Sequence, residues 1–124
     1  MNRFATVLLA GLSLTSCSKS SPAPSLVGMW DSVSLRTVVV YKDGRPTEDR
    51  TEPRLGTTSI EFTADGTVSG LGSYTYRDSK ITIRSQVGTT ELLVTNLTDQ
   101  QLVYKTHYDT SNESVDNTFT YKRR

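Results

Sequence analysis

The sequence predicts an all-β domain, a small antiparallel up-and-down β-barrel of 7–8 strands. Three observations carry that prediction. From residue 26 onward alanine occurs once, at Ala64, while Thr, Val, Ile, Tyr and Phe dominate; this composition suits pleated, half-buried strands and disfavours helices. Apolar and polar residues alternate with period two in five separate runs, as expected of strands with one buried and one wet face. Turn signals interrupt those runs about every ten residues, the spacing of an all-β meander.

The first sixteen residues read differently. Arg3 places a positive charge near the start, and Phe4 to Leu14 is an uncharged, mostly apolar run. That is the length of a signal-peptide core and falls short of the roughly 20 residues needed to span a bilayer. The run ends in Leu14-Thr15-Ser16-Cys17, which resembles the lipobox of bacterial lipoproteins. The resemblance implies a signal peptide over 1–16, a diacylglyceryl group on the Cys17 thiol, cleavage before Cys17, and acylation of the new amino group, palmitate being the expected chain. Two or more acyl chains hold a protein stably on a membrane, whereas one binds only marginally.

Cys17 is the only cysteine, so the domain is expected to fold without a disulfide, and cysteine-based metal sites are excluded. Residues 17–25 make up the lipidated cysteine and a polar Ser/Pro linker that cannot pack a core. Residues 26–124 remain, enough for one domain. Fourteen Lys+Arg face 13 Asp+Glu; loss of Arg3 leaves them balanced. The charges are interspersed, with no basic stripe, so no nucleic-acid partner is expected.

The expected strands are 26–41, 57–63, 67–77, 80–86, 89–96, 101–110 and 114–122. In the first, Trp30 and Ser32 share one face while Val33 and Leu35 fall on the other. A bulge or bend within 31–37 would reconcile them, and a break there would give an eighth strand. Gly70 and Gly72 in the third indicate sharp curvature or close backbone approach. Residues 42–56 form the one long connection, with two prolines and charges of both signs; it reads as a solvated linker or as a mobile loop for a protein partner.

The opening Leu26-Val27-Gly28-Met29-Trp30, with its Gly-x-Trp motif, is followed by Ile60-Glu61-Phe62-Thr63-Ala64-Asp65-Gly66-Thr67 and Gly72-Ser73-Tyr74-Thr75-Tyr76. Lys80-Ile81-Thr82-Ile83, Leu97-Thr98-Asp99-Gln100-Gln101-Leu102 and Phe119-Thr120-Tyr121-Lys122-Arg123 come next. In order and spacing these segments resemble the small lipocalin-like domains of lipoproteins from Bacteroidota-type bacteria, over nearly all of 26–124. The resemblance implies that Trp30 closes the barrel floor and that Arg123 or Lys122 stacks across its ring. The domain is shorter than lipocalins and shows no C-terminal helix, which argues against a large ligand cavity.

Trp30, Phe62, Tyr74, Tyr76, Tyr104 and Tyr121 are the candidate lining of a pocket for a small apolar or amphipathic ligand, since tyrosine offers an apolar ring with a polar tip. The competing reading makes these aromatics the core of a filled barrel and the protein a structural or interaction module, an accessory subunit or an inhibitor. No catalytic residues and no cofactor are expected. The sole histidine, His107, stands on a polar strand face beside Lys105 and Asp109; such a trio reads better as solvated surface than as an acid–base set, and a second histidine for a triad is lacking. No phosphate loop, dinucleotide motif or zinc spacing is present. Ser18 after the lipidated cysteine, and the lack of acidic residues directly behind it, point by analogy to the outer membrane, facing the periplasm. A monomer is expected.

Overall fold

A computed structural model describes residues 25–55 and 58–124. Cys17 and the expected signal peptide lie outside the described residues. Within them the chain forms only strands: β1 (Gly28–Tyr41), β2 (Glu48–Pro53), β3 (Ser59–Phe62), β4 (Thr67–Val68), β5 (Gly72–Arg77), β6 (Lys80–Ser85), β7 (Gly88–Leu97), β8 (Gln101–Asp109) and β9 (Glu113–Arg123). All neighbours are antiparallel, in the order β2-β1-β3-β4-β5-β6-β7-β8-β9, and β1 also pairs with β9. Eight strands thus close into a barrel, and β2 is a ninth outside the ring.

Strand β1 makes this arrangement possible. Its first residues, Gly28 to Asp31, pair with β3, while Ser34 to Val39 pair with β2. Its other edge pairs with β9 from Trp30 to Tyr41. The register slips between Ser32 and Ser34, so Val33 is the bulged residue that the sequence requires within 31–37. Directly paired residues of antiparallel strands share a face. Leu35 therefore stands opposite Phe119 on the inner face, in line with the Ser32–Tyr121 pair before the bulge. The strand bends without breaking.

Two expectations need correction. Residues 42–56 are not one irregular connection, because 48–53 add to β1 as β2; the outward run of charges (Glu-Asp-Arg-Thr-Glu-Pro) hides a strand whose residues are all exposed. The expected strand 67–77 is two, split by a turn at 69–71. The glycines there act as the sequence suggests. At Gly72 (φ +132°) a Cβ would lie 2.2 Å from the Arg84 carbonyl oxygen, so the backbones of β5 and β6 approach as only glycine permits.

Alternation delivers one inward set. Trp30, Ile60, Phe62, Val68, Ile81, Ile83, Leu92, Val94, Leu102, Tyr104 and Tyr121 form one buried cluster with Leu26. Trp30, Phe62, Ile81 and Leu102 are its most deeply buried members. Val39 and Val115 are buried outside this cluster, higher on the sheet of β2, β1, β9 and β8, which rises past the barrel.

The floor is sealed by one side chain. The Arg123 guanidinium lies over the Trp30 ring, its carbon 4.2 Å from the centroid, and Lys122 is exposed. Arg123 Nε donates to the Asp99 carbonyl at 2.8 Å, and Nη1 to Val27 at 2.7 Å; Nη2 donates to Ser25. Trp30 Nε1 donates to the Leu26 carbonyl at 2.9 Å. A Cβ on Gly28 would come within 2.5 Å of Arg123 Nη1, so the glycine of Gly-x-Trp leaves room for the guanidinium. Arg123→Ala is expected to cost about 2–4 kcal/mol, the range for charge-assisted hydrogen bonds plus a cation–π contact, with a change in Trp30 fluorescence. Arg123→Lys should recover only part of it, since an ammonium cannot make the planar fork. Urea unfolding of the three proteins measures this; equal midpoints would remove the floor plug from the account.

Candidate functional site

Antiparallel register places the barrel's two ends. The chain enters at Ser25–Val27, beside Arg123 and the β7–β8 turn, so this end is the floor. The β4–β5 turn and the β6–β7 turn lie at the other end, because Gly72 follows the first and Ser85 pairs with Gly88 across the second. At this open end is a cavity of about 280 Å³ lined by Ile60, Leu71, Ile83, Ser85, Val87, Thr90, Leu92 and Tyr104. Ile60, Ile83, Leu92 and Tyr104 are core residues seen from above. Leu71 and Val87 stand on the two turns as its rim, and Val87 is 98% exposed. Ser85 and Thr90 supply hydroxyls among otherwise apolar walls.

Of the six aromatics proposed from sequence as lining, Tyr104 borders this cavity. Trp30 and Phe62 are fully buried, the first under Arg123 and the second edge-on to Tyr74 at 5.0 Å. Tyr74 is partly buried and donates its hydroxyl to the Thr63 carbonyl at 2.8 Å. Tyr121 is buried and stacks on Tyr104, with centroids 5.6 Å apart and the hydroxyls 3.2 Å from each other; Phe119 stacks on the opposite side of Tyr104 at 5.0 Å. Burial, first of all, raises the Tyr104 phenol well above its ordinary range. Tyr76 shares a face with Ile81 but is 38% exposed. Tyr76 apart, these aromatics pack the barrel below the cavity, whose walls are aliphatic residues and the ring of Tyr104. The rim residues Leu71 and Val87 carry no periodic signal; only their place in turn sequences, where an exposed aliphatic is unusual, marks them.

The outer wall holds the one histidine. His107 Nδ1 lies 2.7 Å from Asp116 Oδ1 and Nε2 lies 3.0 Å from Asp109 Oδ2. Asp109 also accepts from the Ser114 hydroxyl. Asp116 faces His107 directly across the β8–β9 ladder, a contact that separation in sequence concealed. A neutral imidazole has one N–H and can satisfy one of these carboxylates; the imidazolium satisfies both. The Asp116 bond, then that to Asp109, accordingly raises the His107 pKa above its ordinary value. Lys105, expected beside it, shares the outer face of β8 without a bond to it. A groove of about 420 Å³ adjoins the histidine where β7 and β8 part. Among the described residues no group of three or more His, Cys, Asp or Glu side chains is placed to hold a metal ion.

No family model matches the chain, and neither the curated proteins nor the solved structures contain a match to it.

The two carboxylates set the sign of a pH effect. Because the folded pKa of His107 is raised, its contribution to stability is fully present below the unfolded value of about 6.5 and is lost as pH rises through the folded value. NMR titration should place the His107 transition above 6.5, and Asp116→Asn should lower it. A transition at or below 6.5 in the wild type would show that the two carboxylates do not hold the ring in solution.

Proposed function

We propose that this protein is a membrane-anchored lipoprotein, held through Cys17 on the outer membrane and facing the periplasm, whose lipocalin-like barrel binds a short apolar or amphipathic molecule at its open end without catalysis. The cavity between the Leu71 and Val87 turns carries this reading. Its walls are aliphatic apart from the ring of Tyr104, and its polar groups are the hydroxyls of Ser85 and Thr90. Binding pockets combine such walls with a few polar groups, in volumes of roughly 300–1,000 Å³. At about 280 Å³ this one is at the small end, which favours a short chain over a sterol-sized or drug-sized ligand.

The magnitude is modest. Burying about six methylenes at roughly 0.8 kcal/mol each contributes at most about 5 kcal/mol, so the Kd is no tighter than on the order of 0.2 mM once the cost of association is set against it. Such binding suits a molecule that is abundant or presented locally. The absence of catalysis is inferred from the use of His107, whose two ring nitrogens are both engaged by carboxylates on the outer wall, away from the cavity. The second reading, a structural or protein-interaction module, rests on the packed aromatics that fill the barrel below the cavity.

Residues 18–124 include every residue of the core cluster and are the form to test. Titration with octanoate should shift the amide resonances of Ile83, Thr90 and Leu92 saturably. Leu71→Glu with Val87→Glu should weaken binding about tenfold, while leaving stability within about 0.5 kcal/mol because both residues are exposed. If octanoate gives no saturable shift, or the double variant binds as well as the parent, the ligand reading fails and the interaction module stands.

A further inference from the structure

The barrel wall is incomplete above Lys105. Pairing between β7 and β8 runs from Leu97 and Leu102 to Leu93 and Lys105 and stops there. Beyond it β7 continues with β6 alone, whereas β8 continues with β9 to Asp109. On β8 the backbone groups that face β7 belong to alternate residues. Thr98 N–H donates to the Gln101 carbonyl on that side, and at the far end Thr110 N–H donates to Glu113, on the β9 side. The alternation therefore turns the N–H and C=O of His107 and Asp109 outward, and no described strand pairs with them.

An exposed edge of this kind is a template for another strand. The outermost strand of the sheet, β2, also has a free edge, but that one is guarded. Antiparallel self-pairing of Glu48–Pro53 sets Asp49 against Glu52, or Glu48 against Glu52, and Pro53 lacks a donor. The β8 edge behaves in the opposite way. Paired antiparallel to itself about Tyr108, it sets His107 against Asp109 of a second copy, and Asp109 against His107. Each such pair exchanges both N–H···O bonds. The two Tyr108 rings, each 51% exposed in the single chain, then meet on the inner face beside the axis.

We propose that the occupant of this edge is a second copy of the same chain, joined by two-fold antiparallel pairing of His107–Asp109 about Tyr108 into one sheet continuous across both molecules. The arrangement is isologous, so the same residues serve both partners and the assembly closes at two. The groove beside His107, opened where β7 leaves β8, provides room along the edge. The strand is short and the contact narrow, so the dimer forms with rising concentration and is not obligate. It uses neither the cavity nor its rim.

The sole cysteine, Cys17, is absent from residues 18–124, so an introduced cysteine reports its own contacts alone. Tyr108 sits in a non-hydrogen-bonded pair on the axis, where Cβ atoms approach closely enough for a disulfide. Under mild oxidation Tyr108→Cys should form covalent dimer about tenfold faster than Val87→Cys, the fully exposed control for random collision. Wild-type protein should sediment from monomer toward dimer across a concentration series, and Tyr108→Lys, with an unchanged unfolding midpoint, should lose that shift. Cross-linking of Tyr108→Cys no faster than Val87→Cys, or a wild-type protein that stays monomeric throughout the series, would overturn the proposal. Octanoate binding by the same samples reads out the cavity separately.

Discussion

The pairing of β1 with β9 is the constraint on which the rest depends. Short antiparallel strands close into a barrel only if the first and last strands meet, and here one strand of fourteen residues does so along almost its whole length. The slip at Val33 lets that strand change neighbours on its other edge, from β3 to β2, while its inner face stays inward. Without the bulge, Leu35 would turn to solvent and Phe119 would lose its opposite number. The stack of Phe119, Tyr104 and Tyr121 is then held from both sides of β9.

Closure at one end and openness at the other follow from where large side chains fall. Trp30, capped by Arg123 on the outer side of the floor, closes that end, and Phe62, Leu102 and the tyrosine pair fill the space on its inner side. Higher up the inward residues are Ile60, Ile83 and Leu92, which are shorter, and the facing turns carry glycine and serine beside Leu71 and Val87. The cavity is the volume that aromatic rings would otherwise take. The Tyr104 hydroxyl lies beside Tyr121, so the ring of Tyr104 supplies a surface and its polar atom stays engaged below.

The β-class, the period-two faces, most turns and the bulge could be read in the sequence because each is local. Ile81 and Ile83 are inward in sequence and in structure, and Gly72 lies at the close backbone approach its position suggests. What could not be read was pairing. Strand β2 has no apolar face, because it sits at the edge of a sheet that has already left the barrel, so Glu48–Pro53 looks like linker. Asp116 reaches His107 only through the β8–β9 register, and Arg123 is singled out from Lys122 by the β1–β9 register, which sets it opposite Trp30. The split of 69–71 escaped because a tight turn between two short strands resembles a glycine-rich strand. Aromatic residues inside a small barrel are ambiguous on periodicity alone, since core and lining share one face; burial and neighbours separate them.

The two ends are unlike in what they offer a neighbour. The chain reaches the floor through Ser25, whose carbonyl Arg123 binds, so anything attached before Ser25 is tethered at the sealed end. The Leu71 and Val87 turns and the rising sheet are at the other. An anchor at Cys17 would therefore leave the cavity and the β8 edge on the side away from the tether. Confinement to a surface would also raise the local concentration of copies, which lets a narrow edge contact form where free diffusion would leave it unpopulated. A weak dimer and a weak small-molecule site are both consistent with this placement, because each draws its strength from local concentration instead of extensive buried area.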